Sequence, residues 1–174
     1  MPVGRYVITR LSDAGVPIEP IQAVNKFKMA CGVVFRDHIP IIFRVWSGHT
    51  EDPAHLVPND LKQSCWEKIT ERFQLPEGSE EVVKTSALSN MAQLFRKFKS
   101  GLNKDYVQKG LTPDFEHEFQ NQQAFWDDFV AFKRSEAATK VSEANKMLRE
   151  KNVHPHVLGT GGYIKKIPVW EQQE

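Results

Sequence analysis

Long apolar runs and cysteines are both scarce in this chain of 174 residues. No stretch approaches the roughly 18 consecutive apolar residues that a membrane-spanning helix requires. The N-terminus has no apolar stretch of signal-peptide length. We therefore expect an intracellular protein that makes no membrane contact. The two cysteines, Cys31 and Cys65, are expected to be reduced and buried.

Sequence patterns typical of metal sites and catalytic centres are also lacking. There is no Cys-x2-Cys or His-x3-His pair, and the histidines of His154-Pro155-His156 have no further paired ligand. The glycine-rich turn at 159–162 lacks the Gly-Lys-Ser/Thr ending of a phosphate-binding loop. No serine or cysteine lies in a recognisable activating sequence. The sequence therefore predicts a protein that is not an enzyme and needs no metal or cofactor.

The net charge of +1, from 23 basic and 22 acidic residues, excludes a globally basic protein such as a histone. The charges are instead arranged in blocks. Residues 84–109 contain six lysines or arginines and one acid, residues 111–128 contain five acids and no basic residue, and residues 133–151 contain six basic residues and three glutamates. Such blocks are either complementary faces of one fold or separate patches for partners.

One predicted helix, residues 88–109, combines a buried ridge with a basic face. Apolar residues fall at three- and four-residue steps, which places them on one stripe: Leu88, Met91, Phe95, Phe98, Leu102 and Tyr106. At 100° per residue, Arg96, Lys97 and Lys104 lie roughly opposite this stripe and Lys99 lies at its edge.

This basic face suits a helix that binds nucleic acid. Phosphate contacts would come from Arg96, Lys97, Lys99 and Lys104, and Asn103 or Gln108 would reach a base edge. An ordinary surface helix with a basic exterior gives the same pattern. Basic residues from Lys133 to Arg149 form a second such face, whose interspersed glutamates are typical of a solvated helix.

The N-terminal 50 residues are predicted to form an extended and helical segment that packs on the core. A turn at 12–15 indicates a short hairpin. A helix should begin at Pro20, pass through Cys31 and end at Gly32. Residues 36–43 should be extended, because Ile39 precedes a proline.

The remaining chain is predicted to form a helical core, residues 51–152, followed by an extended C-terminal arm, residues 153–174. Asn59 should cap the first core helix, and the second should run from Ser79 to Gly110. The third contains Trp126 and Phe129, and an amphipathic stretch from Ala137 to Leu148 follows it, directly or after a bend at 134–135. The fold class is therefore mainly α.

Bulky aromatic residues are suited to hold these helices together, as in small three-helix DNA-binding domains. The candidates for this core are Trp66, Phe73, Phe95, Phe98, Trp126 and Phe129.

Six segments in order also resemble a family of plant proteins encoded by transposons of the En/Spm (CACTA) type. They cover nearly the whole chain from Gly4 to Glu171: GRYVITRLSDAGVPIEP, CGVVFRDHIPI, VPNDLKQSCWEKITERFQLP, MAQLFRKFKSGLNKDYVQKG, FWDDFVAFKRSEAATKVSEANK and HPHVLGTGGYIKKIPVWE.

The resemblance implies a nuclear, non-catalytic module of transposon origin that binds double-stranded DNA. The acid triad of the strand-cutting transposase belongs to a different polypeptide or domain, so no catalytic residues are carried over. The Trp66 helix and the 95–106 helix would then resemble a divergent Myb/SANT or trihelix unit. The alternative is a domesticated module for protein interaction or homodimerisation, through its charged faces and the apolar tail near Tyr163 and Trp170.

Overall fold

The computed structural model describes residues 4–48 and 52–151, and its fold is mainly α-helical, as the sequence predicted. The chain divides into two compact units, residues 1–133 and 134–174. Five α-helices lie in the described part of the chain: α1 (Ile21–His38), α2 (Asn59–Thr70), α3 (Glu80–Asp105), α4 (Trp126–Arg134) and α5 (Glu136–Glu150). The first unit thus includes the N-terminal segment and ends at Lys133, whereas the sequence suggested a core of residues 51–152.

Short strands join the N-terminus to the helices: β1 (Tyr6–Val7), β2 (Arg10–Leu11), β3 (Pro17–Glu19) and β4 (Phe73–Gln74). Strands β2 and β3 are antiparallel around the turn at 12–15, which confirms the predicted hairpin. Strand β1 pairs in parallel with β4, where the Tyr6 and Phe73 rings stack with their centroids 5.5 Å apart. Phe73 therefore belongs to a strand, where its side chain is buried, and it is not part of α2.

Gly15 brings the hairpin turn onto the start of α3. Its φ is 71°, a left-handed conformation that favours glycine. A Cβ atom at this position would lie only 2.7 Å from the backbone oxygen and a side-chain methyl of Val82. The turn can approach α3 this closely because residue 15 has no side chain.

Helix α1 is longer than predicted, because it continues through Gly32 to His38. Glycine inside a helix costs about 1 kcal/mol relative to alanine. Val34 and Phe35 continue the buried face past this position, and their packing offsets that cost. The prediction of extended backbone for 36–38 was wrong. Ile39 is extended, as expected before Pro40.

The main core forms where α1, α2 and α3 pack against one another. Cys65, Trp66 and Ile69 of α2 are buried, as their spacing predicted. The first helical residue of α2 is Asn59, with Pro58 at the N-cap position, so the predicted cap was one residue too late. Helix α1 is thus central to the three-helix arrangement, which the sequence had placed in residues 51–152.

Helix α3 is continuous over 26 residues. Ser79 occupies the predicted N-cap position, but its hydroxyl donates to the Pro76 carbonyl instead of capping the helix. A short 3-10 turn, Val107–Lys109, follows the helix. Gly110, with φ 69°, ends that turn and not α3 itself.

A second apolar cluster lies at the C-terminal end of α3. Its buried members are Ile41, Leu102, Val107, Trp126 and Phe129. Phe98 packs against both clusters. Its ring centroid lies 5.9 Å from that of Phe35 in α1 and 5.1 Å from that of Phe119. The core role predicted for Trp126 and Phe129 is confirmed.

Gln122 attaches the acidic segment, residues 111–128, to the C-terminal end of α1. It lies in a 3-10 helix, Gln120–Phe125, and is only 1% exposed. Its side-chain amide donates to the carbonyls of Arg36 and Ile39 at 2.5 and 3.2 Å, and its side-chain oxygen accepts from the Ile41 N–H at 2.9 Å. One side chain thus satisfies three backbone groups, two of them in fully buried hydrogen bonds.

Helix α5 is separate from α4 and begins after Ser135, whose hydroxyl accepts a hydrogen bond from the Ala138 N–H. None of its residues is buried. No helix in the described ranges is long and apolar enough to cross a membrane. The predicted C-terminal arm, 153–174, and the His154-Pro155-His156 motif lie outside the described residues.

Gln122→Leu should destabilise the fold by roughly 1–3 kcal/mol, because a side chain of similar size would leave buried backbone donors and acceptors unpaired. Urea denaturation measures this change. The neighbouring Gln123 is exposed, so Gln123→Leu serves as the matched control and should change stability by less than about 0.5 kcal/mol. Equal stability of the two variants would show that Gln122 does not anchor the segment.

Candidate nucleic-acid interface

Helix α3 is oriented by its apolar stripe. Met91, Phe95 and Leu102 are buried, at 0–3% exposure, which confirms the predicted inner face. On the other side, Arg96, Lys97 and Lys104 are exposed. The structure therefore brings these three cations onto one accessible face of the helix, as their spacing predicted.

The exposed face of α3 is free of acids over most of its length, since no aspartate or glutamate occurs from Val82 to Lys104. At 100° per residue, the basic side chains share their face with uncharged polar residues: Ser86, Ser89, Asn90, Gln93, Ser100 and Asn103. We call this set, with Arg96, Lys97 and Lys104, the basic face. It is a surface of hydrogen-bonding groups and positive charge, without carboxylates to repel an anion.

The cations of the basic face have no carboxylate partner within the described ranges. Arg96, Lys97 and Lys104 form no ion pair there, whereas Lys109 lies 3.9 Å from Asp105. Asp105 is the first acid after the basic face, and its proximity to Lys109 places a pair of opposite charges at the end of α3. Among the residues that the structure describes, no carboxylate therefore pairs with the positive charges of the basic face.

Asn103 lies on this face and is half-buried. Its amide offers both a donor and an acceptor, which is the pairing that reads an adenine edge. Contact between Asn103 and a base stays a prediction.

Lys99 does not belong to the basic face. The sequence placed it at the edge of the stripe as a phosphate contact, but the side chain is turned inward and is only 8% exposed. Its ammonium donates to the Phe43 carbonyl at 2.5 Å and lies 3.4 Å from the Arg44 carbonyl. It also lies 4.3 Å from the centroid of the Phe95 ring. Two backbone carbonyls and an aromatic face replace the water molecules that would hydrate this ammonium group at the protein surface.

The surroundings of Lys99 penalise its charged form. Burial, followed by the positive charges of Lys133 and Arg44, lowers the pKa of Lys99 from 10.5 to about 7. Arg44 and Lys133 thus lie in the same neighbourhood. The sequence had not grouped them with Lys99, because they belong to a different segment and a different helix.

A groove of about 680 Å³ lies beside the N-terminal half of α3, between the hairpin and α1. Its apolar wall includes Val24 and Phe27, and Ser89 and Gln93 of the basic face contribute polar groups. Lys28 is the only charged residue among its described lining. The groove is therefore mainly apolar, and Ser89 and Gln93 place its polar edge beside the basic face.

Cys31 and Cys65 are free and buried, as predicted. Burial raises the pKa of each thiol to about 12, so neither forms a nucleophilic thiolate at neutral pH. Within the described residues, no group of three or more His, Cys, Asp or Glu side chains could hold a metal ion.

No protein-family model, curated protein or solved structure matches this chain.

The buried position of Lys99 predicts a specific pH dependence of stability. Because its pKa is about 7 in the folded chain and near 10.5 in the unfolded chain, the unfolded chain binds more protons between these values. The free energy of unfolding should therefore rise with pH from 7 to 9. Lys99→Met should remove this contribution, which is at most about 1.4 kcal/mol per pH unit.

Urea denaturation at pH 7, 8 and 9 would compare the wild type with Lys99→Met and with the exposed control Lys97→Met. The window stops at pH 9 because the raised thiol pKa values make stability fall with pH above that point. The control should keep the wild-type slope. Identical slopes in all three proteins would contradict the low pKa of Lys99.

Proposed function

We propose that this chain is a non-catalytic DNA-binding module that contacts the phosphates of double-stranded DNA through the basic face of α3. The observation that carries the proposal is the exposed set of Arg96, Lys97 and Lys104 on a helix side without acids, none of which forms an ion pair with another described residue. Cations in such an arrangement bind a polyanion by Coulomb attraction and by release of its counterions.

The rigidity of α3 supports this function. Arg96 and Lys104 are eight residues apart, which corresponds to about 12 Å along a helix. Duplex DNA carries one charge per roughly 1.7 Å of axis, so the basic face can contact several phosphates at once. Because both residues are on one packed helix, their spacing is set before DNA binds, and less conformational entropy is lost on binding.

The local charge matters because the whole chain has a net charge of only +1. Attraction to DNA would have to come from a patch and not from the overall field. Phosphate contacts position a protein without reading sequence, so Asn103 is the candidate for any base preference. The proposed module therefore binds DNA broadly, with modest discrimination between sequences.

The resemblance to En/Spm-type transposon proteins supports two further parts of the proposal. The chain would derive from a plant transposon, and it would act in the nucleus, where its DNA is located. A Myb/SANT or trihelix likeness stays a prediction, and the helices that pack together here are α1, α2 and α3.

The DNA-binding proposal predicts that Lys97→Gln/Lys104→Gln weakens binding without unfolding the protein. Fluorescence anisotropy of a labelled random duplex, titrated from about 50 to 200 mM salt, measures both affinity and salt dependence. Loss of two phosphate contacts should reduce the slope of log K against log salt by about 2. The melting temperature should change little, because both side chains are exposed.

Lys26→Gln/Lys68→Gln is the matched control, since it removes the same charge from α1 and α2. It should retain nearly the wild-type slope. Absence of wild-type binding at 50 mM salt would reject the proposal. Equal losses in the two double variants would show that net charge, and not the basic face, attracts the DNA.

A second candidate function is homodimerisation through α5, with no DNA binding. The observation that favours it is the exposure of large apolar side chains on this helix, with Val141 at 62%, Met147 at 59% and Leu148 at 65%. Ala137, Val141, Ala144 and Leu148 recur at four- and three-residue steps, which is the spacing of a coiled-coil seam. A second copy of α5 would present the same seam.

This candidate predicts a dimer that Val141→Gln/Leu148→Gln converts to a monomer, because polar side chains would replace the apolar seam. Sedimentation equilibrium over micromolar protein concentrations measures the mass. Lys140→Gln/Lys146→Gln is the control on the same helix and should leave the dimer intact. A monomeric wild type would reject dimerisation and leave the DNA-binding proposal unaffected.

A further inference from the structure

Three cationic side chains from three separate elements converge beside the C-terminal half of α3. Lys99 comes from α3, Lys133 from α4, and Arg44 from the segment 39–46 that follows α1. The charges of Lys133 and Arg44 both act on Lys99. Lys99 is buried, Lys133 is half-buried and Arg44 is exposed, so the cluster opens to solvent on the Arg44 side.

The backbone holds Arg44 in place. Its N–H donates to the His55 carbonyl at 2.8 Å, and the next residue, Val45, forms a parallel bridge with Leu56. Lys99 donates to the carbonyls of Phe43 and Arg44, which links the same segment to α3. The position of Arg44 relative to Lys99 is therefore fixed by hydrogen bonds and not left to a flexible loop.

Aromatic rings orient all three charges. The Arg44 guanidinium lies 3.9 Å from the centroid of the Phe132 ring, and the Lys133 ammonium lies 5.4 Å from the same centroid. Lys99 lies over the Phe95 ring. Cation–π contacts of this kind orient a cation but do not neutralise it.

No carboxylate balances the cluster among the residues that the structure describes, because none of its three cations forms an ion pair there. Like charges held close together repel, and the repulsion is strongest for the buried member. A cluster of this kind is stabilised when an anion enters it.

We propose that Arg44, Lys99 and Lys133 form a binding site for a phosphate group. The Arg44 guanidinium can hold two phosphate oxygens side by side, and the lysine ammonium groups act as point charges beside it. Lys99 carries three donor protons when charged, and the two backbone carbonyls leave one of them for the ligand. The phosphate would be either a free phosphate compound or a phosphodiester of DNA. The site stands on these contacts and does not depend on the basic face.

Anion binding at this site should depend on pH through Lys99. The groups that face its ammonium are Arg44 from the segment 39–46 and Lys133 from α4. His55 ends a short 3-10 helix, Pro53–His55, and Asp52 is its N-cap residue. These two side chains lie 3.2 Å apart and form an ion pair when His55 is protonated. An entering dianion favours the charged form of Lys99, so binding should take up a proton near neutral pH and weaken as the pH rises.

Sulfate is the probe, because its charge stays at −2 over the pH range and any pH effect then comes from the protein. Amide NMR spectra of the full chain would be recorded during a sodium sulfate titration at pH 6.0 and 8.5, with sodium chloride at equal ionic strength as reference. We expect saturable shifts at Arg44, Lys99 and Lys133, with clearly weaker binding at pH 8.5.

Arg44→Gln/Lys133→Gln should weaken sulfate binding at least about tenfold, since two charge-assisted contacts are lost. Its fold is expected to survive, because removing these charges relieves repulsion, and the amide spectrum itself reports any unfolding. Lys99→Met should retain weaker binding that no longer varies between pH 6.0 and 8.5. Lys140→Gln/Lys146→Gln, two exposed positions on α5, should bind sulfate like the wild type.

Duplex DNA distinguishes the two sources of phosphate. If Arg44→Gln/Lys133→Gln weakens DNA binding as well, the site takes a DNA phosphate; if DNA affinity is unchanged, it takes a free phosphate compound. Absence of saturable sulfate shifts in the wild type would overturn the site, whatever the DNA result. Unchanged sulfate binding in that double variant would overturn it too, and neither outcome bears on the Lys97 and Lys104 experiment.

Discussion

The packing of Phe95 and Phe98 against α1 fixes the rotation of α3, and the surface chemistry of the first unit depends on that rotation. The centroid of the Phe35 ring lies 6.2 Å from that of Phe95 and 5.9 Å from that of Phe98. With these two positions turned inward, Arg96 and Lys97 have to face solvent and Lys99 has to face the segment 39–46. A rotation by one residue, about 100°, would turn one edge of the basic face toward the core and expose part of the aromatic ridge. The free energy of apolar burial thus selects which cations are accessible.

A polar contact completes the arrangement that the aromatic core begins. Gln122 satisfies the backbone groups at the end of α1 and so holds the acidic segment against it. This places Phe119 against Phe98 and allows Trp126 and Phe129 to close the second cluster. Because Trp126 and Phe129 belong to α4, their packing in that cluster positions this helix. The position of Lys133 beside Lys99 therefore depends on a glutamine that bonds to the backbone at the end of α1.

The sequence predicted features that local periodicity determines, such as the buried stripe of α3 and the exposure of Arg96, Lys97 and Lys104. It failed where distant contacts decide. Gly32 reads as a helix end, but packing of the residues after it extends α1. At the edge of a stripe, a lysine can extend to solvent or turn inward. Lys99 turns inward because the Phe43 carbonyl, 56 residues earlier, accepts a hydrogen bond from its ammonium group. The clustering of Lys99 with Arg44 and Lys133 also depends on contacts between distant segments. It therefore leaves no local pattern in the sequence.

Stability alone gives no reason for a lysine at position 99. A buried charge costs desolvation, and an apolar residue of similar length would pack on Phe95 without that cost. The two nearby positive charges add to the penalty, as the lowered pKa shows. Residues that destabilise a fold in this way concentrate where they bind or react with something. A phosphate group would offset the repulsion among the three cations, because each of them would attract the anion. The free energy gained by removing this repulsion would then contribute to the binding affinity.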